Sequence, residues 1–150
     1  MKSLQHFALL LIFILPVAAF AGENLKINPR LDYSSDSQDG PLITGDKMDE
    51  ATVAGKPTYV LMYGEGCFNS KRQARRSVHL YEKYKGRVQF VIVDLDKSRP
   101  AAQQELVRKY YTGYIPHVVV LDKNGKALYN RSGEEEENSL STVLDQALSQ

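Results

Sequence analysis

The chain reads as an α/β domain built on a central mixed sheet of four to five strands, with helices on both faces. Three observations predict this. Short apolar, β-rich runs at 58–63, 88–94 and 117–121 alternate with longer stretches whose apolar residues recur at helical spacing. The pair Asn124-Gly125 then marks a hairpin, so an antiparallel strand joins strands that are otherwise linked by helical crossovers. Once an N-terminal leader is set aside, 129 residues remain, enough for one core and too few for two.

The leader is Met1 to Ala21: a cation at Lys2, an apolar run from Phe7 to Leu15, Pro16, and the small-x-small triplet Ala19-Phe20-Ala21. This is the pattern of a secretory signal peptide with cleavage after Ala21, and the apolar run falls short of the roughly 20 residues that span a bilayer. No cysteine follows for lipid attachment and the chain ends without a retention signal, so a periplasmic or secreted protein is expected, with no stable membrane insertion after cleavage. Residues 22–41 are polar and turn-rich and read as an exposed lead-in, leaving 42–150 as the domain.

Asp46 is a plausible N-cap for a short helix through Met48, Ala51 and Val53 that stops at Gly55 and Pro57. Thr58 to Tyr63 is a buried strand closed by Gly64, and Gly64-Glu65-Gly66 turns the chain into Cys67. A helix follows over about 69–85, with Ala74, Ser77, Leu80, Tyr81 and Tyr84 on one face and Arg72, Arg75, Arg76, His79 and Lys83 on another. Val88 to Asp94 is a strand, and a helix over 101–111 starts just after Pro100. His117 to Leu121 and Ala127 to Asn130 form the hairpin pair. The acidic run Glu134 to Glu137 suits the start of a last helix, whose apolar stripe is Leu140, Val143, Leu144, Ala147 and Leu148.

Without the leader, Lys and Arg balance Asp and Glu at 18 each, which argues against nucleic acid or an anionic membrane as the main partner. The single cysteine rules out an internal disulfide, although an exported chain could form one. There is no glycine-rich phosphate loop, no catalytic carboxylate pair and no serine elbow, so no cofactor is expected. Cys67, His79 and His117 lack any recognised metal-ligand spacing. A monomer is expected.

Four stretches resemble the thioredoxin-fold family over roughly Asp46 to Ser149. Lys56 to Cys67 resembles its strand leading into the active-site cysteine, and Val93-Asp94-Leu95-Asp96 the end of its central strand. Tyr114-Ile115-Pro116 with His117 to Leu121 resembles the loop and strand that carry a cis proline. Leu121 to Lys126 resembles the closing hairpin, with Gly133 as the glycine before the last helix. The resemblance implies that Pro116 is cis and adjacent to Cys67, and that Ile115 offers backbone groups to a bound extended peptide.

The departures concern the active site. Gly66 stands where an aromatic residue usually precedes the first cysteine, Ser70 replaces the second cysteine, and Leu61 occupies the place of a buried acid that assists it. Phe68-Asn69 replaces the usual pair between the cysteines, and Arg75 a common proline.

The expected site is therefore Cys67 with Ser70, flanked by Gly66, Phe68, Ile115 and Pro116 as the substrate groove, with Arg72 and His117 as accessory candidates. A helix N-terminus, a hydroxyl from Ser70, and the charges of Lys71 and Arg72 all favour a thiolate at Cys67. The plain alternatives are a relic cysteine, a small residue tolerated at 70, a solvated basic face, and a structural histidine opening a strand. One reading is a monothiol that forms mixed disulfides with protein thiols or disulfides or with a small thiol. The other is a non-catalytic binding or chaperone-like module using the cis-proline groove. A conventional dithiol reductase is excluded, because Ser70 cannot form a disulfide.

Overall fold

A computed structural model describes residues 21–38 and 40–150 of the 150-residue chain; the leader preceding Ala21 lies outside the described residues. Three strand runs, the hairpin and three helices fall where they are expected. These are β3 (Thr58–Tyr63), α1 (Phe68–Tyr84), β4 (Gln89–Asp94), α2 (Ala101–Tyr110), β5 (His117–Leu121), β6 (Ala127–Ser132) and α3 (Glu137–Ser149). They form a four-stranded mixed sheet in the order β4-β3-β5-β6, with β3 parallel to β4 and antiparallel to β5, and β6 antiparallel to β5.

Alternation along β3 assigns the two faces. Tyr59, Leu61 and Tyr63 enter one core with Ala74, Leu80 and Tyr84 of α1 and Leu140 and Leu144 of α3. Val60 and Met62 enter the other with Leu106 and Tyr110 of α2. All six β3 residues are buried, which is why the strand reads as a continuous apolar run. The Tyr84 hydroxyl inside the first core donates to Ser141 O at 3.1 Å and to Asp145 Oδ1 at 2.8 Å, fixing α3 on α1.

Two expectations are corrected. Residues 22–41 are not simply an exposed lead-in, because β1 (Glu23–Ile27) pairs antiparallel with β2 (Ile43–Asp46) in a separate two-stranded sheet. Leu25, Leu42 and Ile43 are buried in the α1 core, and the Tyr81 hydroxyl accepts the Asn24 amide at 2.8 Å.

The helix expected from Asp46 is also absent. Lys47 adopts φ +53°, in the left-handed region, which breaks a helix at its first turn. The backbone groups such a helix would satisfy internally are taken by two buried glutamines instead. Gln89 donates to Ala51 O at 2.7 Å and accepts the Val53 amide at 2.8 Å, while Gln103 donates to Met48 O at 2.6 Å and Glu50 O at 3.1 Å.

Candidate functional site

β3 ends at Tyr63, and the Gly64–Gly66 turn carries the chain over its C-terminal edge, where the Cys67 amide donates to Gly64 O at 3.3 Å. Cys67 is the N-cap of α1, with extended φ/ψ of −92° and 119°, and its carbonyl accepts the first helical bond from the Lys71 amide at 3.0 Å. The thiol is half-buried. Ser70 is buried one turn on, but its Oγ accepts the Gly64 amide at 3.4 Å. Its hydroxyl steadies the turn, and no described residue hydrogen-bonds the cysteine sulfur.

The opposing loop comes from β5. The Ile115–Pro116 peptide bond is cis, Pro116 is buried, and Pro116 O accepts the Gly133 amide at 2.8 Å. Ile115 packs onto the Gly64–Gly66 turn: a Cβ at Gly64 would lie 2.6 Å from Ile115 Cδ1, so glycine is what lets the two loops close together. Gly66, Phe68 and Ile115 are each partly exposed along this edge, and the Arg72 guanidinium lies 5.1 Å from the Phe68 ring centre.

The basic face of α1 does not stand open. Arg72 pairs with Glu134, Arg76 with Glu134 at 3.0 Å and Glu136 at 2.7 Å, and His79 Nδ1 lies 3.4 Å from Glu137. The acidic run before α3 therefore serves as counter-charge to α1 and as helix-start electrostatics together. His117 shares the α2 side of β5 with Val119 and Leu121, away from α1. It is buried, with Nδ1 2.8 Å from Ser132 Oγ and Nε2 2.7 Å from Asn130 Oδ1. Both ring nitrogens are held by β6, and the structure does not bring His117 to the thiol.

Beneath the turn lies a group of acids that sequence reasoning missed. Glu65 is buried and its amide donates to Asp96 Oδ2 at 2.7 Å; its Oε1 lies 3.2 Å from Lys97 Nζ. Asp94 accepts the Tyr63 hydroxyl at 3.2 Å and the Asp96 amide at 2.9 Å. Burial pushes the Asp94 carboxyl up to about 6; the Asp96 amide opposes this and the neighbouring Glu65 adds to it. Between the usual value near 4 and about 6, the folded chain thus holds a proton that the unfolded chain has released. Stability is accordingly expected to fall as pH rises through this window, by about 1 kcal/mol once solvent screening of a half-exposed group is allowed for. Asp94→Asn should flatten the decline in urea midpoint between pH 4.5 and 7.5. An unchanged decline would locate its source elsewhere.

Residues 44–148 match the family model described as a thioredoxin-like domain, a range that covers the four-stranded sheet and, but for the last residue of α3, all three helices. The chain belongs to the thioredoxin-like family. Among the relatives of this thioredoxin-like chain, "Thioredoxin-like protein HCF164, chloroplastic" of Oryza sativa subsp. japonica is 33% identical over 96 residues, covering 64% of this chain and 36% of that protein. The "Thiol:disulfide interchange protein TxlA homolog" of Synechocystis is 31% identical over 81 residues, covering 54% of this chain and 43% of its own length. The chain thus spans less than half the length of these curated relatives. A solved thioredoxin-2, described as a component of malaria parasite protein secretion machinery, superimposes with a TM-score of 0.54 at 20% identity, over 65% of this chain and 89% of that one. A thioredoxin-like protein from Clostridium perfringens gives 0.53 at 21%, over 63% and 73%. At these identities the structural likeness is one of fold.

Two more residues near the thiol escaped the sequence reading. Asp36 lies in the segment whose sequence reads as an exposed lead-in, yet its Oδ1 accepts the Phe68 amide at 2.7 Å. Lys71, assigned only a nearby charge, is fully buried. Its position three residues before Ala74, at the margin of the buried stripe, was the available signal.

Proposed function

We propose that this protein is an exported thioredoxin-like protein that engages in thiol-disulfide exchange through Cys67 alone. The observation that carries this reading is the placement of a half-buried cysteine at the N-cap of α1, on the sheet edge where the cis-Pro116 loop closes. A thiolate there stands at the positive end of the helix dipole, beside the Phe68 amide that Asp36 occupies. The name of the Synechocystis relative, a thiol:disulfide interchange protein, supports the same chemistry. No helix among the described residues is long and apolar enough to cross a membrane. Location in the periplasm or outside the cell rests on the leader sequence.

The exchange has two steps. The Cys67 thiolate attacks one sulfur of a disulfide, forming a mixed disulfide and expelling the other sulfur as a thiolate. With no second cysteine in the chain, a thiol from outside attacks this adduct, leaves as part of a new disulfide and returns Cys67 to the thiolate. Gly66, Phe68, Ile115 and Pro116 form the groove that holds the partner peptide. Ser70 acts as a positioning residue through the Gly64 turn.

Incubation with glutathione disulfide is expected to add one glutathione per chain, seen by intact mass, and Cys67→Ala to abolish the addition. Failure of the native protein to form the adduct would overturn the reading. The buried Ser70 and the capped Phe68 amide favour a second reading, a binding module on the same groove. In that case Cys67→Ala retains partner binding.

A further inference from the structure

We propose that the segment from Asp32 to Gln38 is a displaceable cover over Cys67, latched by Lys71, which admits small disulfides and makes protein disulfides wait for its release. This rests on the reading of Cys67 as an exchange thiol, and it adds a selection of substrate by size.

The segment brackets the cysteine. Asp36 Oδ1 takes the Phe68 amide on one side, at 2.7 Å. On the other side, a Cβ built on Gly66 would lie 3.5 Å from Gln38 Cβ. A large side chain at position 66 would therefore meet the cover, and glycine there leaves it room to cross. The carboxylate of Asp36 occupies the helix-end amide next to the sulfur, a place where negative charge is favoured. Asp36 and a Cys67 thiolate thus compete for the same end of α1.

The latch comes from below. The Lys71 ammonium is buried and donates to three main-chain carbonyls of the segment, Asp32 O at 2.6 Å, Ser35 O at 2.9 Å and Ser37 O at 2.7 Å, and to Ser37 Oγ at 2.8 Å. An ammonium has three donors and no acceptor, which matches a ring of carbonyls. Farther along α1, the Arg75 guanidinium lies 4.9 Å from the Tyr33 ring centre. Asp32 closes the loop internally on the Ser34 amide and the Ser34 and Ser35 hydroxyls, and those bonds hold its carboxyl down to about 2.

No side chain between Asp32 and Gln38 is buried. The cover is held by polar contacts and not by core packing, so it can open locally while the sheet stays folded. A small disulfide reaches a half-buried thiol without that opening. A folded protein must displace the segment to seat an extended peptide along Gly66 and Phe68.

The test compares alkylation of Cys67 by N-ethylmaleimide and by a maleimide on a bulky polyethylene glycol chain. Lys71→Met keeps the length of the side chain and removes the latch. It is expected to raise the rate with the bulky reagent about tenfold, and the rate with the small one by about threefold at most. Asp36→Ala, at an exposed position, is a second variant that leaves the core intact and should move the bulky reagent in the same direction. In both variants hydrogen exchange at the Phe68 amide should accelerate. If both variants fold by circular dichroism and neither changes the bulky-reagent rate, the cover is refuted. Alkylation needs no disulfide chemistry, so a cover that behaves as expected in a protein that takes up no glutathione would count against the exchange reading alone.

Discussion

Ser70→Cys is expected to turn this single-cysteine chain into a working dithiol, with dithiothreitol-driven insulin reduction rising on the order of 100-fold over the native protein. Residues three apart on a helix lie roughly 5–6 Å from each other, within the window a disulfide requires. Position 70 is buried beside the turn that holds Cys67, so a thiol there attacks the mixed disulfide from inside the molecule. An internal thiol acts at an effective concentration in the millimolar range or above, whereas the native chain waits for an external one. Two readouts separate the steps. Loss of two hydrogens on oxidation, by intact mass, reports the new disulfide, and insulin turbidity reports turnover. A disulfide that forms without turnover would mean that the groove around Ile115 and Pro116 does not present protein disulfides to Cys67. The gain should grow further when Lys71→Met is added, if the cover limits access.

The sheet and its helices are legible in the sequence because each strand is buried on both faces or ends at a turn residue, and each helix carries a stripe. The β1–β2 pair is not. Its apolar content rests on Leu25, Ile27 and Ile43, and its strands pair across a long polar loop, while Gly45 and Asp46 speak against a strand. The false helix after Asp46 has a related cause: Gln89 and Gln103 satisfy that backbone from far along the chain, which no local pattern reveals. At the site, the turn, the cysteine and the proline loop are readable because glycine and proline mark special backbone. The partners of α1 are not readable, since the acidic run facing Arg72 and Arg76 and the carbonyls around Lys71 meet it only in three dimensions.

The missing acid is explained by the same packing, and Leu61→Asp should show that it cannot be restored by one change. Leu61 is fully buried, with Ile92 beside it on β4 and Val118 beside it on β5, both in the same core. Replacing it removes about 2–3 kcal/mol of apolar burial. It also places a carboxyl among aliphatic side chains, at a cost of roughly 2 kcal/mol or more even when it takes up a proton. The total, about 4 kcal/mol or more, approaches the whole stability of a domain this size. Because burial raises the folded-state value of such a carboxyl above that of the unfolded chain, the native state binds the extra proton, and the loss deepens as pH rises from 4 upward. Urea unfolding of Leu61→Asp should therefore show a lower midpoint than the native protein at pH 4.5 and a much lower one at pH 8, while Leu61→Asn shows a deficit that does not change with pH. A variant as stable as the native protein at pH 8 would mean that a partner for the acid exists in this core. With no such partner, an apolar residue suits position 61, and a second thiol at position 70 would have to work without a buried acid beneath it.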